Sequence, residues 1–106
     1  MTLNCIIIDN NSTQRLATLR LINGHNSLSL VGKFTTINEA KKFLLANPVD
    51  LIILEIHLAD CDGFELMDFF YNNTELKSPH IIITSEDISH AFKAFEYNVT
   101  DYLEKP

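Results

Sequence analysis

Several short apolar runs in this chain end in residues that can do chemistry. Ile6 to Ile8 runs into Asp9 and Asn10, Leu51 to Leu54 into Glu55, and Ile81 to Ile83 into Thr84, while the short segment Val99 to Leu103 leads to Glu104 and Lys105. An acid, an amide, a second acid, a hydroxyl and an ammonium thus stand at the ends of apolar segments. The turn Asp9-Asn10-Asn11-Ser12 carries no glycine and is acidic. It suits a cation rather than a phosphate, which needs glycine-rich backbone donors. His57, two residues past Glu55, offers an imidazole that with Asp9 and Glu55 would take a transition metal. The plainer reading of His57, as of His25, His80 and His90, is a loop or surface histidine.

These groups act together only if the fold gathers them, so the elements between them decide. After the first run, Asn11-Ser12 caps a helix through Leu16, Leu19 and Leu21 to Asn23-Gly24, where the glycine is a natural stop. Leu28 to Phe34 alternates and reads as a strand. Thr36-Ile37-Asn38-Glu39 matches a capping box, with Glu39 reaching back, and opens a helix that ends at Asn47-Pro48. Within Val49 to Glu55, Leu51 to Leu54 is continuously apolar and ends at the acid Glu55. Continuous rather than alternating apolarity means both faces are covered, as in a central parallel strand. Asp60 to Gly63 reads as a loop and Phe64 to Tyr71 as a helix. Ile81 to Thr84 is a strand, Asp87 to Tyr97 a helix and Val99 to Leu103 a fifth strand. Strands alternating with helices imply right-handed crossovers and a parallel sheet covered on both sides. In such sheets the site lies beyond the carboxyl ends of the strands, where the groups above fall.

A chain of 106 residues is one small domain, residues 1–106. With a formal charge of −6 and scattered basic residues, it is a poor partner for nucleic acid or anionic membrane. No apolar run approaches the roughly 20 residues of a membrane span, and no leader pattern opens the chain. Cys5 and Cys61 form no paired motif and read as free thiols of a reducing compartment, which makes the cytoplasm the expected location.

The chain resembles the receiver domains of bacterial response regulators in two-component phosphorelay signalling, over essentially its whole length. Ile8-Asp9-Asn10-Asn11-Ser12-Thr13 resembles the family's acidic pair after the first strand. Pro48 to Ile56 resembles the strand that ends in the phosphoacceptor. Asp60-Cys61-Asp62-Gly63-Phe64-Glu65-Leu66 resembles the loop and helix that follow. Ile83-Thr84-Ser85 resembles the fourth-strand hydroxyl, and Asp101-Tyr102-Leu103-Glu104-Lys105-Pro106 the end of strand five. The resemblance implies a flavodoxin-like, doubly wound α/β fold with a five-stranded sheet in the order 2-1-3-4-5. It implies a magnesium ion at the acidic pair, Thr84 and Lys105 as phosphoryl contacts, and Tyr102 as the switch aromatic. It also implies a regulatory role rather than an enzymatic one, with a sensor kinase or an output domain as partner. Ala91 to Asn98 resembles the fourth helix of regulators that carry a LytTR-type DNA-binding output. A fifth helix, which the family has after the Lys-Pro step, is missing here. The chain therefore reads as a fragment of a longer regulator, with an apolar face that favours a homodimer.

Three positions depart from the family pattern. Glu55 stands where the family has aspartate, Asn10 replaces the second acid of the pair, and Leu58-Ala59 lacks the usual proline. Glutamate is one methylene longer, and an error near 1 Å in an in-line transfer can cost ~10²-fold. The loss of one acid weakens the attraction for a divalent ion by several kcal/mol, at about 4 kcal/mol per unit pair at 4 Å and a dielectric of 20. The expectation is a degenerate pseudo-receiver with weak or absent Mg²⁺ binding and no other cofactor. Within it, Glu55 either imitates the phosphorylated state or simply pairs with Lys105. The competing readings are a receiver phosphorylated in spite of Glu55 (or on Asp60 or Asp62) and a flavin carrier on the same fold.

Overall fold

The computed structural model describes residues 2–58, 60 and 62–105. Five strands, β1 (Leu3–Ile8), β2 (Leu28–Phe34), β3 (Leu51–Glu55), β4 (His80–Ser85) and β5 (Asp101–Glu104), form one sheet. Its order is β2-β1-β3-β4-β5 and every pairing is parallel. The connecting helices are α1 (Ser12–Asn23), α2 (Ile37–Ala46), α3 (Phe64–Asn72) and α4 (Ala91–Glu96). This is the doubly wound α/β architecture expected from the alternation of elements, in the expected strand order. The strands with continuous apolar runs, β1, β3 and β4, are the inner ones, and β2 and β5 are the edges.

The period-2 geometry of a strand sends successive side chains to opposite faces, and the inner strands feed two cores. Ile6, Ile8, Ile52, Leu54, Ile81 and Ile83 meet Ile37, Ala40 and Leu44 of α2, Phe64 and Met67 of α3 and Ala94 of α4. Cys5 and Ile7 face the other way, against Ile22 and Leu19 of α1 and the half-buried Leu28, Leu30, Leu51 and Ile53. Cys5 is a buried free thiol. Cys61, Ala59 and Pro106 lie outside the described residues. The β1–β2 register shifts between Cys5 and Ile6, so Val31 has no partner and points to solvent.

The helix ends follow local chemistry, with some departures from expectation. Asn11 caps α1, its side chain accepting from the Gln14 N–H at 3.0 Å. Gly24 ends α1 in a right-handed conformation, φ −78°, so its stop owes nothing to glycine's access to positive φ. That role falls to Asn98, at φ 59°, just beyond α4. The expected helix over Asp87 to Tyr97 is split into a 3₁₀ turn, Ile88–His90, and α4. Asp87 caps the turn by accepting from the Ser89 N–H at 2.8 Å. Strand β5 begins at Asp101 rather than Val99, yet Val99 is still buried in the core.

Candidate functional site

The carboxyl ends of β1, β3 and β5 converge. Asp9 follows β1, Glu55 ends β3, and Lys105 follows β5; all three side chains are almost fully buried. The Lys105 Nζ donates to Asp9 Oδ2 and to Glu55 Oε1, both at 2.9 Å. The remaining carboxylate oxygens are also engaged. Asp9 Oδ1 accepts from the Asn11 N–H at 2.9 Å, and Glu55 Oε2 accepts from the His57 N–H at 3.2 Å. The Lys105 backbone N–H donates to the Ser85 carbonyl at 2.7 Å, which fixes the lysine against β4. Among the described residues no buried side-chain nitrogen or oxygen lacks a hydrogen-bond partner.

Burial pulls the Lys105 ammonium towards the neutral form, but its hydrogen bonds to Glu55 and Asp9 outweigh that. Its pKa lies above the ordinary lysine value. Two carboxylates and one ammonium leave the pocket with a single net negative charge. Taking three charges out of water is expensive, and only such complete pairing offsets the cost.

The remaining sequence-predicted residues are placed unevenly. Asn10 is exposed at the turn after Asp9. Thr84 pairs with Glu55 in the β3–β4 register but lies on the α1 side of the sheet. There it lines a shallow apolar hollow with Ala17, Leu21, Leu103 and Lys105. The fully buried hydroxyl at the end of β4 is its neighbour Ser85, whose Oγ accepts from the Asp87 N–H at 3.2 Å. Period-2 counting from the buried Ile81 and Ile83 puts Ser85 on the deeper core face and Thr84 on the face it shares with Glu55. That signal lay in the sequence, but the sequence did not say which alternate set faced the deeper core. Tyr102 is half-buried, and its hydroxyl donates to the Asp87 carbonyl. The His57 ring is exposed and packs edge-on against His90, with centroids 5.1 Å apart. The pocket therefore pairs the two carboxylates with Lys105, and the His57 imidazole turns to a different neighbour.

The loop after β3 is tied down too. Asp60 Oδ1 and Oδ2 accept from the Ile37 and Asn38 N–H groups at 3.2 Å each. Asp62 Oδ1 accepts from the Phe64 N–H at 2.8 Å. Both loop acids are thereby engaged at helix starts.

A parallel, doubly wound sheet with acids and a lysine gathered beyond its carboxyl edge is the architecture of receiver domains in signalling proteins. The response regulator receiver domain family matches residues 5–106, and this chain belongs to it. It is 35% identical over 104 residues to the sensory transduction protein LytR of Staphylococcus epidermidis, covering 98% of this chain and 40% of that protein. It is 30% identical over 105 residues to the sensory transduction protein LytT of Enterococcus faecalis, covering 98% and 42%. The chain thus spans about two-fifths of the length of these curated relatives. Among solved structures, the response regulatory domain of protein mrkE from Klebsiella pneumoniae superposes with a TM-score of 0.88 at 31% identity, over 98% of this chain and 84% of that one. Receiver domains of this family connect sensor kinases to output domains in two-component signalling. Among the described residues no helix is long and apolar enough to cross a membrane.

Proposed function

We propose that this receiver works as a regulatory interaction module held by its internal Asp9–Lys105–Glu55 triad, outside the ordinary aspartyl-phosphate cycle. The observation that carries the reading is the state of Glu55. The carboxylate at the acceptor position already accepts from Lys105 through one oxygen and from the His57 N–H through the other. A phosphoryl group arriving there would have to break the Lys105 contact, and a magnesium ion would have to displace the ammonium shared by Asp9 and Glu55. With Asn10 neutral, the pocket offers that ion one acid fewer. Of the two roles weighed for Glu55, the structural pair is favoured over imitation of the phosphorylated state. Its oxygens are bound to Lys105 and backbone, and Ser85, the buried β4 hydroxyl, is directed to Asp87 instead.

The reading is tested by incubating the chain with acetyl phosphate and Mg²⁺, following intact mass, and titrating Mg²⁺ by calorimetry. No phosphoryl adduct and no saturable Mg²⁺ binding are expected. An acyl phosphate on Glu55 formed at ordinary speed would overturn it and establish the competing reading, a receiver that phosphorylates in spite of its glutamate. Adducts on Asp60 or Asp62 would do the same, although each of those acids caps a helix start. Membership of the receiver family argues against a flavin carrier. The partners that fit the proposal are a cytoplasmic sensor kinase, an output domain of the LytTR type and a second copy of the chain. Exposed Ile88, Phe92 and Phe95 supply apolar contact surface for such a partner.

A further inference from the structure

We propose that His57, Asp87 and His90 form a binding site for a transition-metal dication of the Zn²⁺ type, separate from the Asp9–Glu55–Lys105 pocket. One ligand atom from each of the three lies within 4.8 Å of the other two. They come from two segments: His57 from the turn after β3, and Asp87 and His90 from the turn after β4. The two imidazoles already face each other edge-on at 5.1 Å, and His90 Nε2 is 3.9 Å from Asp87 Oδ2.

The donor set decides the class of ion. Two imidazoles and one carboxylate suit zinc, copper or nickel, whereas magnesium prefers oxygen ligands alone. Three protein ligands with water in the fourth position is a common open zinc arrangement. Ligands about 2.0–2.1 Å from a tetrahedral zinc stand roughly 3.4 Å apart, so the present separations need to close by about 1.5 Å at most. Rotation of the exposed His57 and Asp87 side chains supplies that movement. The supporting contacts favour it. Asp87 Oδ1 is taken by the Ser89 N–H at 2.8 Å, which turns Oδ2 towards His90. His57 is fixed at its backbone by Glu55 Oε2 and by its bridge to Asp62. The Lys93 ammonium is occupied elsewhere, over the Phe64 ring at 4.4 Å from its centroid. A bound ion would clamp the turn after β3 to the turn after β4, where the Tyr102 hydroxyl holds the Asp87 carbonyl.

The test is a calorimetric titration of the chain with ZnCl₂, with Co²⁺ substituted for an optical reading of the ligand field. One Zn²⁺ per chain is expected, undisturbed by excess Mg²⁺ and with no thiolate charge transfer in the Co²⁺ spectrum. His57→Ala, His90→Ala and Asp87→Asn should each weaken binding by about tenfold or more, since loss of even an outer supporting group of a metal site costs 10–100-fold. The His25→Ala/His80→Ala and Cys61→Ser variants should bind as the parent does. Absence of saturable binding at micromolar Zn²⁺ would overturn the proposal. So would retention of binding in His57→Ala and His90→Ala, its loss in Cys61→Ser or in His25→Ala/His80→Ala, or equal competition by Mg²⁺. The triad reading is tested separately, by the phosphoryl adduct on Glu55 and by Mg²⁺ binding that persists in His57→Ala and His90→Ala.

Discussion

Among the described residues Lys105 is the only cation in contact with two buried acids, so its removal separates the effect of charge from that of shape. Lys105→Met keeps the length of the stem but leaves the Asp9 and Glu55 carboxylates buried with no counter-charge. Breaking a buried pair by deleting one partner costs about 3–5 kcal/mol, and a urea titration should show a loss of that size. Adding Asp9→Asn and Glu55→Gln to the same variant removes the uncompensated charge and should restore most of the stability. If the triple variant is as weak as Lys105→Met, packing rather than charge is responsible. A second prediction concerns the acceptor itself. Asn10→Asp with Glu55→Asp shortens the carboxylate by one methylene and adds the missing acid. The double variant should gain Mg²⁺ binding in calorimetry and a phosphoryl adduct in intact-mass spectra, neither of which the parent is expected to show. Asp9 and Glu55 were legible in the sequence because each ends an apolar run abruptly, and Lys105 because Asp101 to Pro106 resembles the family's strand-five end. Which of the adjacent hydroxyls Thr84 and Ser85 faces the α2–α4 core was not legible, because it depends on a strand parity that β4's unbroken apolar run conceals. The meeting of His57 with Asp87 and His90 was likewise hidden, since only the sheet order brings those two turns together.

Between residue and sheet stand the helix starts, and α2 shows how an element's end ties into the site. Its first exposed donors are all used. Ile37 and Asn38 N–H go to Asp60, Glu39 N–H to the Thr36 hydroxyl at 3.2 Å, and Ala40 N–H to the Thr36 carbonyl. The expected capping box is therefore present in a modified form. Glu39 reaches back to the Thr36 and Thr35 hydroxyls rather than to a backbone N–H. Asp60 comes from the loop after β3, so one carboxylate both caps α2 and anchors the loop beside Glu55. Asp60→Ala should cost about 1 kcal/mol, the usual worth of a cap, measured by urea unfolding, and amide exchange should quicken at Ile37 and Asn38. Gly63 belongs to the same loop. A Cβ there would lie 2.8 Å from the Glu55 carbonyl oxygen and 2.9 Å from the Ile56 Cα, both backbone atoms that cannot rotate away. Its φ of −59° is open to any residue, so the requirement is close approach and not conformation. Gly63→Ala should destabilise the fold by about 1–3 kcal/mol, as overpacking does, and shift the amide resonance of His57. Strand existence and order of burial were readable from apolar runs, which are strong signals in a sheet covered on both sides. The break at His90 was not, because a 3₁₀ turn of 3 residues is too short to show its own period in the sequence.

At the scale of the whole molecule, the acidic surplus and the buried titrating groups act in the same direction. The chain carries a formal charge of −6 at neutral pH, so each further proton lost adds self-repulsion. Among the described residues, four groups hold their protons more tightly in the fold than in the free chain. Burial raises the Cys5 thiol above its ordinary 9.0. The hydrogen bond to Asp68 raises Tyr97, and burial raises Tyr102, above 10.0. Burial lowers Lys105, but the hydrogen bonds to Glu55 and Asp9 more than reverse it and carry it above 10.5. A group whose folded pKa exceeds its unfolded one stabilises the fold fully below the unfolded value. That contribution disappears as pH rises through the folded value. The four windows overlap, opening near 9 with Cys5 and closing above 10.5 with Lys105. Calorimetric melting temperatures should therefore hold level across these groups at neutral pH and decline progressively from about pH 9 upward. Cys5→Ala should delay the onset without removing the later fall, because Tyr102 and Lys105 still titrate. In the Asp9→Asn, Glu55→Gln, Lys105→Met variant the decline above pH 10.5 should flatten, since neither the ammonium nor its partners remain. A decline equally steep in that variant would mean that the tyrosines and surface repulsion, and not the buried triad, govern alkaline unfolding.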